Sequence, residues 1–372
     1  METSVRFFKF AKVKFEKSYK VRGIMMYYLL NKERDLISYL DLPRIKDLDD
    51  LACLLLFTKS QLNDFIANKD KHYVSFRIPK KHSPEKRIIN APKKKLKMAQ
   101  KIILVEILQK IPCSEYSTAF VKNKNGLLKN ALIHKEKVFL LKMDFKNFFQ
   151  CIKREKVQRI FMELGYDNKI SDILAGLCTF FNELPQGGIC SPYLSNLACY
   201  KLDKEISEFC NTNNISYTRY ADDLMFSAND LEILKNFKDF DLPKIIANNK
   251  TPYFDIELNN EKTKLVKNTS HKKVTGITIN DGNMKVSKNI KNTVRAILYF
   301  LYKTGEFSKK NINETKESLL GNISYIQSIE EDYLIKCIKY IENLQKKFSK
   351  EDIYGILKTL KKCKTNPSNR FQ

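Results

Sequence analysis

Three stretches of the chain repeat apolar residues at the spacing of an amphipathic helix. The first, LDDLACLLLFTKSQLNDFI, has an acidic first turn and makes residues 1 to about 70 a predicted helical scaffold. The second, KKKLKMAQKIILVEILQKI, follows Pro92 and has a lysine-rich first turn. The third, SKNIKNTVRAILYFLYK, comes after Lys285 and leads into a lysine-rich tail of the same character. The pattern therefore predicts helices at both ends of the chain.

Between the first two helical stretches the pattern changes to strand-like alternation. In HYVSFRIPKKHSPEKRIINAP the apolar residues Val74, Phe76 and Ile78 alternate with other residues, the run breaks at Pro79, and it resumes at Ile88. This pattern predicts a basic β-hairpin.

The middle of the chain alternates between the two kinds of pattern. VFLLKMDF is strand-like, KREKVQRIFMELGY and SPYLSNLACYKLDKEISEFC are helix-like, and ISYTRYADDLMFSA contains two short strand-like runs. This order is typical of an α+β fold built on an antiparallel sheet with helices. The length of 372 residues favours two or three subdomains, and there is no internal repeat or Gly/Ser linker.

The charge balance favours a polyanionic partner. The chain has 67 Lys and Arg against 42 Asp and Glu, a formal charge of +25, which suits nucleic acid, although an anionic membrane surface or simple solubility also fits. Basic residues are densest between positions 80 and 97, where they form either a solvated face or a phosphate-binding surface. They are Lys80, Lys81, Lys86, Arg87, Lys93, Lys94, Lys95 and Lys97.

The nine cysteines and the N-terminal sequence indicate the compartment. The cysteines are odd in number and never spaced as C-x-x-C, which disfavours a disulfide framework and a zinc knuckle and predicts thiols in a reducing cytosol. The longest apolar run near the N-terminus, Leu51 to Phe57, is too short to span a bilayer. We therefore expect a cytoplasmic protein with no membrane partner.

Two strand-like segments end in acidic residues. Asp222 and Asp223 lie between apolar runs, and adjacent acids face one site only if they occupy the tight turn that joins two strands. Alone, the pair is also what an ordinary Asp-rich turn contains. Asp144 follows the buried run of VFLLKMDF. Together the three carboxylates fit a site for two Mg²⁺ ions that supports phosphoryl transfer, with Asp144 and Asp222 bridging the ions and Asp223 as ligand or support.

Three ordered motifs resemble those of reverse transcriptases. They are the hexapeptide DFKNFF that begins at Asp144, the segment LPQGG from Leu184 with the following Ser191-Pro192, and YADD at Tyr220–Asp223. The resemblance implies a right-hand polymerase. Its fingers would lie in residues 1–135, its palm in 136–284 with fingers elements inserted at about 150–195, and its helical thumb with an RNA-binding tail in 285–372.

The resemblance also implies roles for individual residues toward the nucleotide. Phe149 matches the steric gate that selects deoxynucleotides. Phe145 is expected to contribute both to the metal site and to nucleotide binding. Gln186 and Gly187 match a loop along the nascent base pair, in which glycine allows close backbone approach. The triphosphate clamp would come from Lys80, Lys81 and Arg87.

Lys262 lies in LNNEKT, a segment that resembles the one carrying a lysine near the leaving pyrophosphate. That match makes it a candidate general acid. A surface lysine beside an Asn-rich turn is the alternative.

Two shorter matches point to the retron reverse transcriptases of bacteria. Asn130 and His134 fit the N-A-x-x-H element, and Val274-Thr275-Gly276 fits the V-T-G element. His134 is also explained as a core histidine with satisfied hydrogen bonds. One departure is Gly188, which follows Gly187 where retron enzymes usually have Ala-Pro and is nearer to group II intron enzymes.

The resemblance to retron reverse transcriptases implies a reaction, a product and a biological role. The enzyme would use magnesium and dNTPs to copy part of a cognate structured noncoding RNA into single-stranded DNA that branches from a guanosine 2′-hydroxyl. It would act against phage together with a separate effector protein. The alternatives are a group II intron-like or other defence-associated reverse transcriptase, and a noncatalytic RNA-binding protein on a polymerase scaffold.

Overall fold

The structure, a computed structural model, describes residues 35–79, 84–122, 125–267, 271–280, 282–307 and 315–365. The helices predicted for residues 1–34 lie outside the described residues. The helices in the described part are α1 (Leu36–Tyr39), α2 (Leu48–Leu55), α3 (Lys59–Ala67), α4 (Lys69–His72), α5 (Lys94–Glu106), α6 (Gly126–His134), α7 (Arg154–Glu163), α8 (Asn168–Cys178), α9 (Ser191–Ala198), α10 (Tyr200–Thr212), α11 (Leu231–Asn236), α12 (Leu242–Asn249), α13 (Lys288–Thr304), α14 (Lys316–Gln327), α15 (Tyr333–Phe348) and α16 (Ile356–Thr365).

In the part of the chain that the structure describes, the strands form three antiparallel sheets. They are β1 (Tyr73–Pro79), β2 (Lys86–Pro92), β3 (Phe139–Asp144), β4 (Ser216–Tyr220), β5 (Asp223–Ala228), β6 (Lys264–Val266), β7 (Lys273–Val274), β8 (Ile277–Asn280) and β9 (Asn283–Val286). β1 and β2 form a hairpin, the order β4-β5-β3-β6 makes a four-stranded sheet, and β7-β8-β9 makes a three-stranded one.

The chain divides into two compact units that alternate along the sequence. The first comprises Met1–Lys122, Phe145–Ser207 and Asp241–Asn259, and the second comprises Asn123–Asp144, Glu208–Phe240 and Asn260–Gln372.

The first unit contains the β1–β2 hairpin and the helices from α1 to α5 and α7 to α9. Some of its helices start at a capping side chain, and at the start of α3 Thr58 and Gln61 form a reciprocal capping box. α3 and α5 both pack against α8. The predicted basic hairpin is confirmed, but its alternating apolar residues Val74, Phe76 and Ile78 are exposed rather than packed on a core.

The second unit contains the four-stranded and three-stranded sheets together with α6 and the C-terminal helices. One continuous core joins Ala131 on α6, Leu140 on β3 and Val274 on β7 to Leu298 and Ile341 on the C-terminal helices. Glu330 fixes the start of α13 because its carboxylate accepts the Val286 amide at 2.8 Å and pairs with Lys291 at 2.8 Å. In the described residues, no helix combines the length and apolar character that a bilayer crossing requires.

Candidate active site

The two adjacent acids lie at the tip of the β4–β5 hairpin. β4 ends at Tyr220, β5 begins at Asp223, and these two residues are directly paired, so Ala221 and Asp222 form the two-residue turn. Ala221 takes a positive φ of 57°, and its carbonyl accepts a hydrogen bond from the buried Arg219 guanidinium at 3.1 Å. This turn is the arrangement that the sequence predicts for adjacent acids serving one site.

Asp144 lies beside the same hairpin. It is the last residue of β3 and the direct cross-strand partner of Asp223 on β5. Directly opposed residues of an antiparallel pair project from the same face, with Cβ atoms about 5 Å apart. We call the face that carries Asp144 and Asp223 the carboxylate face.

Asp144, Asp222 and Asp223 lie close enough together to affect one another's charge. Burial, together with the negative charges of Asp222 and Asp144, raises the pKa of Asp223 to about 6. Lys262, in the short helical turn Asn260–Lys262, donates to both Asp144 oxygens, at 2.9 and 3.1 Å. That hydrogen bond to Asp144 raises the pKa of the Lys262 ammonium. The lysine thus neutralises one of three carboxylates that repel one another.

Two lysines lie next to the acids on the same sheet. Lys142 lies two residues before Asp144 on β3, and its direct partner on β6 is Lys264. Two residues of a strand span about 6.7 Å. Partial burial lowers the pKa of Lys142, while the charge of Asp223 acts in the opposite direction. Two like charges placed opposite each other destabilise a sheet unless an anion lies between them.

The donor set suits divalent cations. By themselves, the described residues contain no group of three or more His, Cys, Asp and Glu side chains already arranged as a metal site. However, hard cations prefer carboxylate oxygens, and added positive charge stabilises a site in which burial and neighbouring carboxylates together raise the pKa of Asp223. Lys262 supplies such a charge to Asp144.

The predicted residues that follow Asp144 belong to the first unit. Phe145 is 2% exposed and stacks on Phe148 with ring centroids 5.7 Å apart, so any contact it makes with a metal has to use its backbone carbonyl. Phe148 is buried, as predicted for core packing, and Phe149 is half-buried beside it with centroids 5.6 Å apart. Of this aromatic run, Phe149 presents the most accessible ring.

Gln186, Gly187 and Arg87 also lie in the first unit. The Gln186 carbonyl accepts the Asn90 amide of β2 at 2.7 Å. Gly187 has a φ of 116°, and a Cβ there would lie 2.9 Å from the Asn90 carbonyl oxygen, so the glycine allows the loop to approach the backbone of β2 closely. Arg87 is exposed on β2. The structure therefore joins the glycine loop to the strand that carries Arg87, whereas Lys80 and Lys81 lie outside the described residues.

Asn130 and His134 lie on α6 and are completely buried. His134 Nδ1 lies 2.7 Å from Ser227 Oγ, and Nε2 lies 2.7 Å from Thr218 Oγ1. The Thr218 hydroxyl in turn donates to Asn130 Oδ1. His134 is therefore a core histidine with satisfied hydrogen bonds, one of the two explanations that the sequence allowed.

Val274, Thr275 and Gly276 form the turn of the β7–β8 hairpin. Thr275 and Gly276 take positive φ values of 46° and 88°, as the two central residues of a type I′ turn do. Thr275 is strained there because it is β-branched, and its hydroxyl is buried with no hydrogen-bond partner among the described residues. Val274 is buried in the core that also contains Ala131 of α6.

Sequence patterns gave no role to several residues that shape this region. Arg219, Thr218, Ser227, Lys142 and Lys264 all lie on the strands around the three acids. One signal was present in the sequence: Thr218 and Arg219 are adjacent polar residues within β4, so both faces of this strand carry a polar group.

Several known proteins are similar to this chain. The family model described as "Reverse transcriptase (RNA-dependent DNA polymerase)" matches residues 78–279, just over half of the chain. The Retron Ec86 reverse transcriptase of Escherichia coli is 33% identical over 316 residues, which are 84% of this chain and 94% of that protein. The Retron Ec83 reverse transcriptase of Escherichia coli is 33% identical over 303 residues, covering 77% and 90%. Among solved structures, telomerase from Candida albicans with a fragment of telomeric RNA aligns at 13% identity and a TM-score of 0.40, covering 83% of this chain and 68% of that one.

Proposed function

We propose that this chain, which belongs to the reverse transcriptase family and within it to the retron reverse transcriptases, copies part of a cognate structured noncoding RNA into single-stranded DNA. Family membership makes it an RNA-directed DNA polymerase with the right-hand polymerase fold. Beyond family membership, we propose which RNA is copied, which DNA product forms and which residues act on them.

One observation carries the assignment of residues. Asp144 and Asp223 are paired across β3 and β5 on the carboxylate face, and Asp222 occupies the turn beside them. We assign these three carboxylates as the catalytic centre, with Asp144 and Asp222 holding two Mg²⁺ ions and Asp223 as ligand or support. When bound, the ions would lower the pKa of the primer 3′-hydroxyl and stabilise the pyrophosphate that leaves.

The lysines around the acids would handle phosphate. Lys262 is protonated, and its ammonium can give a proton to the leaving pyrophosphate once a nucleotide is in place. Lys142 lies two residues before Asp144 on β3, and Lys264 is its direct partner on β6. We therefore assign both to the phosphates of the primer–template backbone.

The first unit would select the nucleotide. Arg87 on β2 presents a guanidinium fork to the triphosphate, together with Lys80 and Lys81. Gln186 and Gly187 would lie along the nascent base pair, and Phe149 would exclude a ribose 2′-hydroxyl. In this scheme residues 1–135 act as fingers, 136–284 as palm with fingers elements inserted at about 150–195, and 285–372 as the thumb that reads the shape of the RNA.

Primer extension tests the polymerase assignment. The purified protein with Mg²⁺, a primed RNA template and dNTPs should extend the primer, and Asp222→Asn should lower the rate by at least about a hundredfold while RNA binding persists. Asp230→Asn is the matched control, because Asp230 caps α11 and asparagine caps equally well. Extension by the Asp222 variant at the normal rate would refute the assignment.

The nucleic acid that copurifies with the protein tests the retron product. We expect DNA covalently joined to RNA through a guanosine 2′-hydroxyl, seen as a species that ribonuclease shortens but does not abolish. The Asp222→Asn protein should carry the RNA alone. DNA with a free 5′ end would instead support a group II intron-like or other defence-associated reverse transcriptase.

Retron membership also supports a role in defence against phage with a separate effector protein. Cells that carry the complete locus should resist phage, and the Asp222→Asn change should remove that resistance while protein levels stay constant. Resistance that survives the change would show that defence does not depend on DNA synthesis by this protein.

A further inference from the structure

Asn130 and His134 take no part in the catalytic scheme above, yet they are buried in direct contact with the hairpin that carries Asp222 and Asp223. α6 packs against β4 of that hairpin. His134 reaches both strands, since Thr218 lies on β4 and Ser227 lies on β5. We call Asn130, His134, Thr218 and Ser227 the His134 network.

With the Thr218 hydroxyl as the donor to Asn130 Oδ1, the remaining hydrogen atoms of the network have one consistent arrangement. The single Thr218 hydroxyl proton is donated to Asn130 Oδ1, so Thr218 Oγ1 must accept from Nε2–H of His134. Nδ1 of the neutral ring is then an acceptor, and the Ser227 hydroxyl donates to it. Each hydroxyl is thereby fixed in one rotamer, and the two strands are tied to one helix.

The network lies on the carboxylate face. Side chains alternate along a strand, so Tyr220 and Thr218 on β4, and Asp223 and Ser227 on β5, project from the same side of the sheet. Thr218 is one strand step from Tyr220, the residue paired with Asp223. A change of hairpin tilt at Thr218 and Ser227 is therefore carried directly to the acidic turn.

We propose that Asn130 and His134 are positioning residues that hold the β4–β5 hairpin so that Asp222 and Asp223 meet Asp144 at the distance catalysis needs. This inference rests on the catalytic role proposed for those acids. It gives a physical task to the N-A-x-x-H element that does not involve contact with RNA. The V-T-G element has a related place, because Val274 and Ala131 share one core.

The size of the expected effect follows from how the network is built. Its members are fully buried, so removing one hydroxyl leaves a polar partner without a hydrogen bond. Catalytic groups must be held within about 0.5 Å, and a displacement of about 1 Å costs on the order of a hundredfold in rate. RNA affinity depends on other contacts and should not change.

Thr218→Val is the decisive variant, because valine keeps the shape of threonine and removes the hydroxyl at the hub of the network. We expect its maximal extension rate to fall by about tenfold or more while KM for the primer–template stays within about twofold. Amide hydrogen exchange within residues 216–228 should become faster than in the wild-type protein. Thr218→Ser restores the hydroxyl and should recover most of the rate.

Ser216→Ala is the matched control, since Ser216 lies on the same strand and face as Thr218 but outside the network. It should leave rate and exchange unchanged. If Thr218→Val does not fold, Ser227→Ala tests the same idea by removing one hydrogen bond only.

Two results would overturn the proposal: an unchanged maximal rate in a folded Thr218→Val protein, or a loss explained entirely by weaker RNA binding. Failure of the proposed function looks different. In that case the wild-type protein does not extend primers, while the exchange difference between Thr218→Val and Ser216→Ala still reports on the network.

Discussion

The Lys262 ammonium lies 2.9 and 3.1 Å from the two oxygens of Asp144, so the carboxylate that ends β3 already holds a cation. The Lys262 side chain is 60% exposed, whereas that of Asp144 is only 10% exposed. An exposed lysine gains little stability from such a pair. The contact therefore contributes more to the charge balance of the three acids than to the fold.

Lys262→Ala should slow primer extension by about ten- to a hundredfold, because the reaction loses a proton donor near the leaving pyrophosphate. The melting temperature should change little, since the lysine end of the ion pair is 60% exposed to solvent. Single-turnover kinetics and a thermal unfolding curve measure the two effects. Lys267→Ala removes an exposed lysine of the same segment and serves as the control. A normal rate in the Lys262 variant would identify it as an ordinary surface lysine.

The sequence was sufficient to predict the acids because their placement is local. An apolar run that ends in Asp144, and two runs that enclose a two-residue turn, specify strand ends and a hairpin without any knowledge of distant contacts. The pattern within a single strand does not specify which strand lies next to it in a sheet. The resemblance of the ordered motifs was therefore needed to predict that Asp144 lies beside Asp223.

The His134 network could not be predicted in the same way. His134 lies 84 and 93 residues from Thr218 and Ser227 in the sequence, and no pattern of polar and apolar residues specifies such a contact. The same limit explains the hairpin β1–β2. Alternation predicted its strands, but the exposure of Phe76 and Ile78 depends on what packs against them.

Phe149→Ala should increase the incorporation of ribonucleotides relative to deoxynucleotides by about tenfold or more, because the space that the ring fills becomes available to a 2′-hydroxyl. Phe149 is half-buried, so the variant should fold. Competition between dNTPs and rNTPs in primer extension measures the ratio. Phe240→Ala, which removes a ring that is 61% exposed, is the control. Unchanged discrimination would show that another group guards the sugar.

Replacing Lys142 and Lys264 together by alanine should weaken primer–template binding and reduce its dependence on salt. Each phosphate contact that is lost lowers the slope of log K against log[salt] by about 0.9. Binding titrations at several salt concentrations give the slope. Lys235→Ala, on α11 outside the sheet, removes the same type of charge and should leave the slope unchanged. An unaltered slope in the double variant would show that these two lysines do not contact the phosphates of the primer–template.

His134 should make the protein less stable as the pH falls below about 6.5. Burial lowers the pKa of His134 in the folded protein to about 3, against an ordinary value of 6.5. Below pH 6.5 the unfolded chain therefore binds a proton that the folded protein does not, so acidification favours unfolding. Between pH 7 and pH 5 the wild-type protein should lose about 2 kcal/mol more unfolding free energy than His134→Gln.

Chemical denaturation at pH 7, 6 and 5 measures this difference for His134→Gln and for the control His271→Gln, which replaces an exposed histidine of the same unit. The control should follow the wild-type curve. The comparison uses the change with pH within each protein, so a constant destabilisation caused by the lost hydrogen bonds of the network cancels. Parallel curves for wild type and His134→Gln would mean that the ring takes up a proton as readily in the folded protein as in the unfolded chain, which is incompatible with a Thr218 hydroxyl that donates to Asn130 while Ser227 donates to His134.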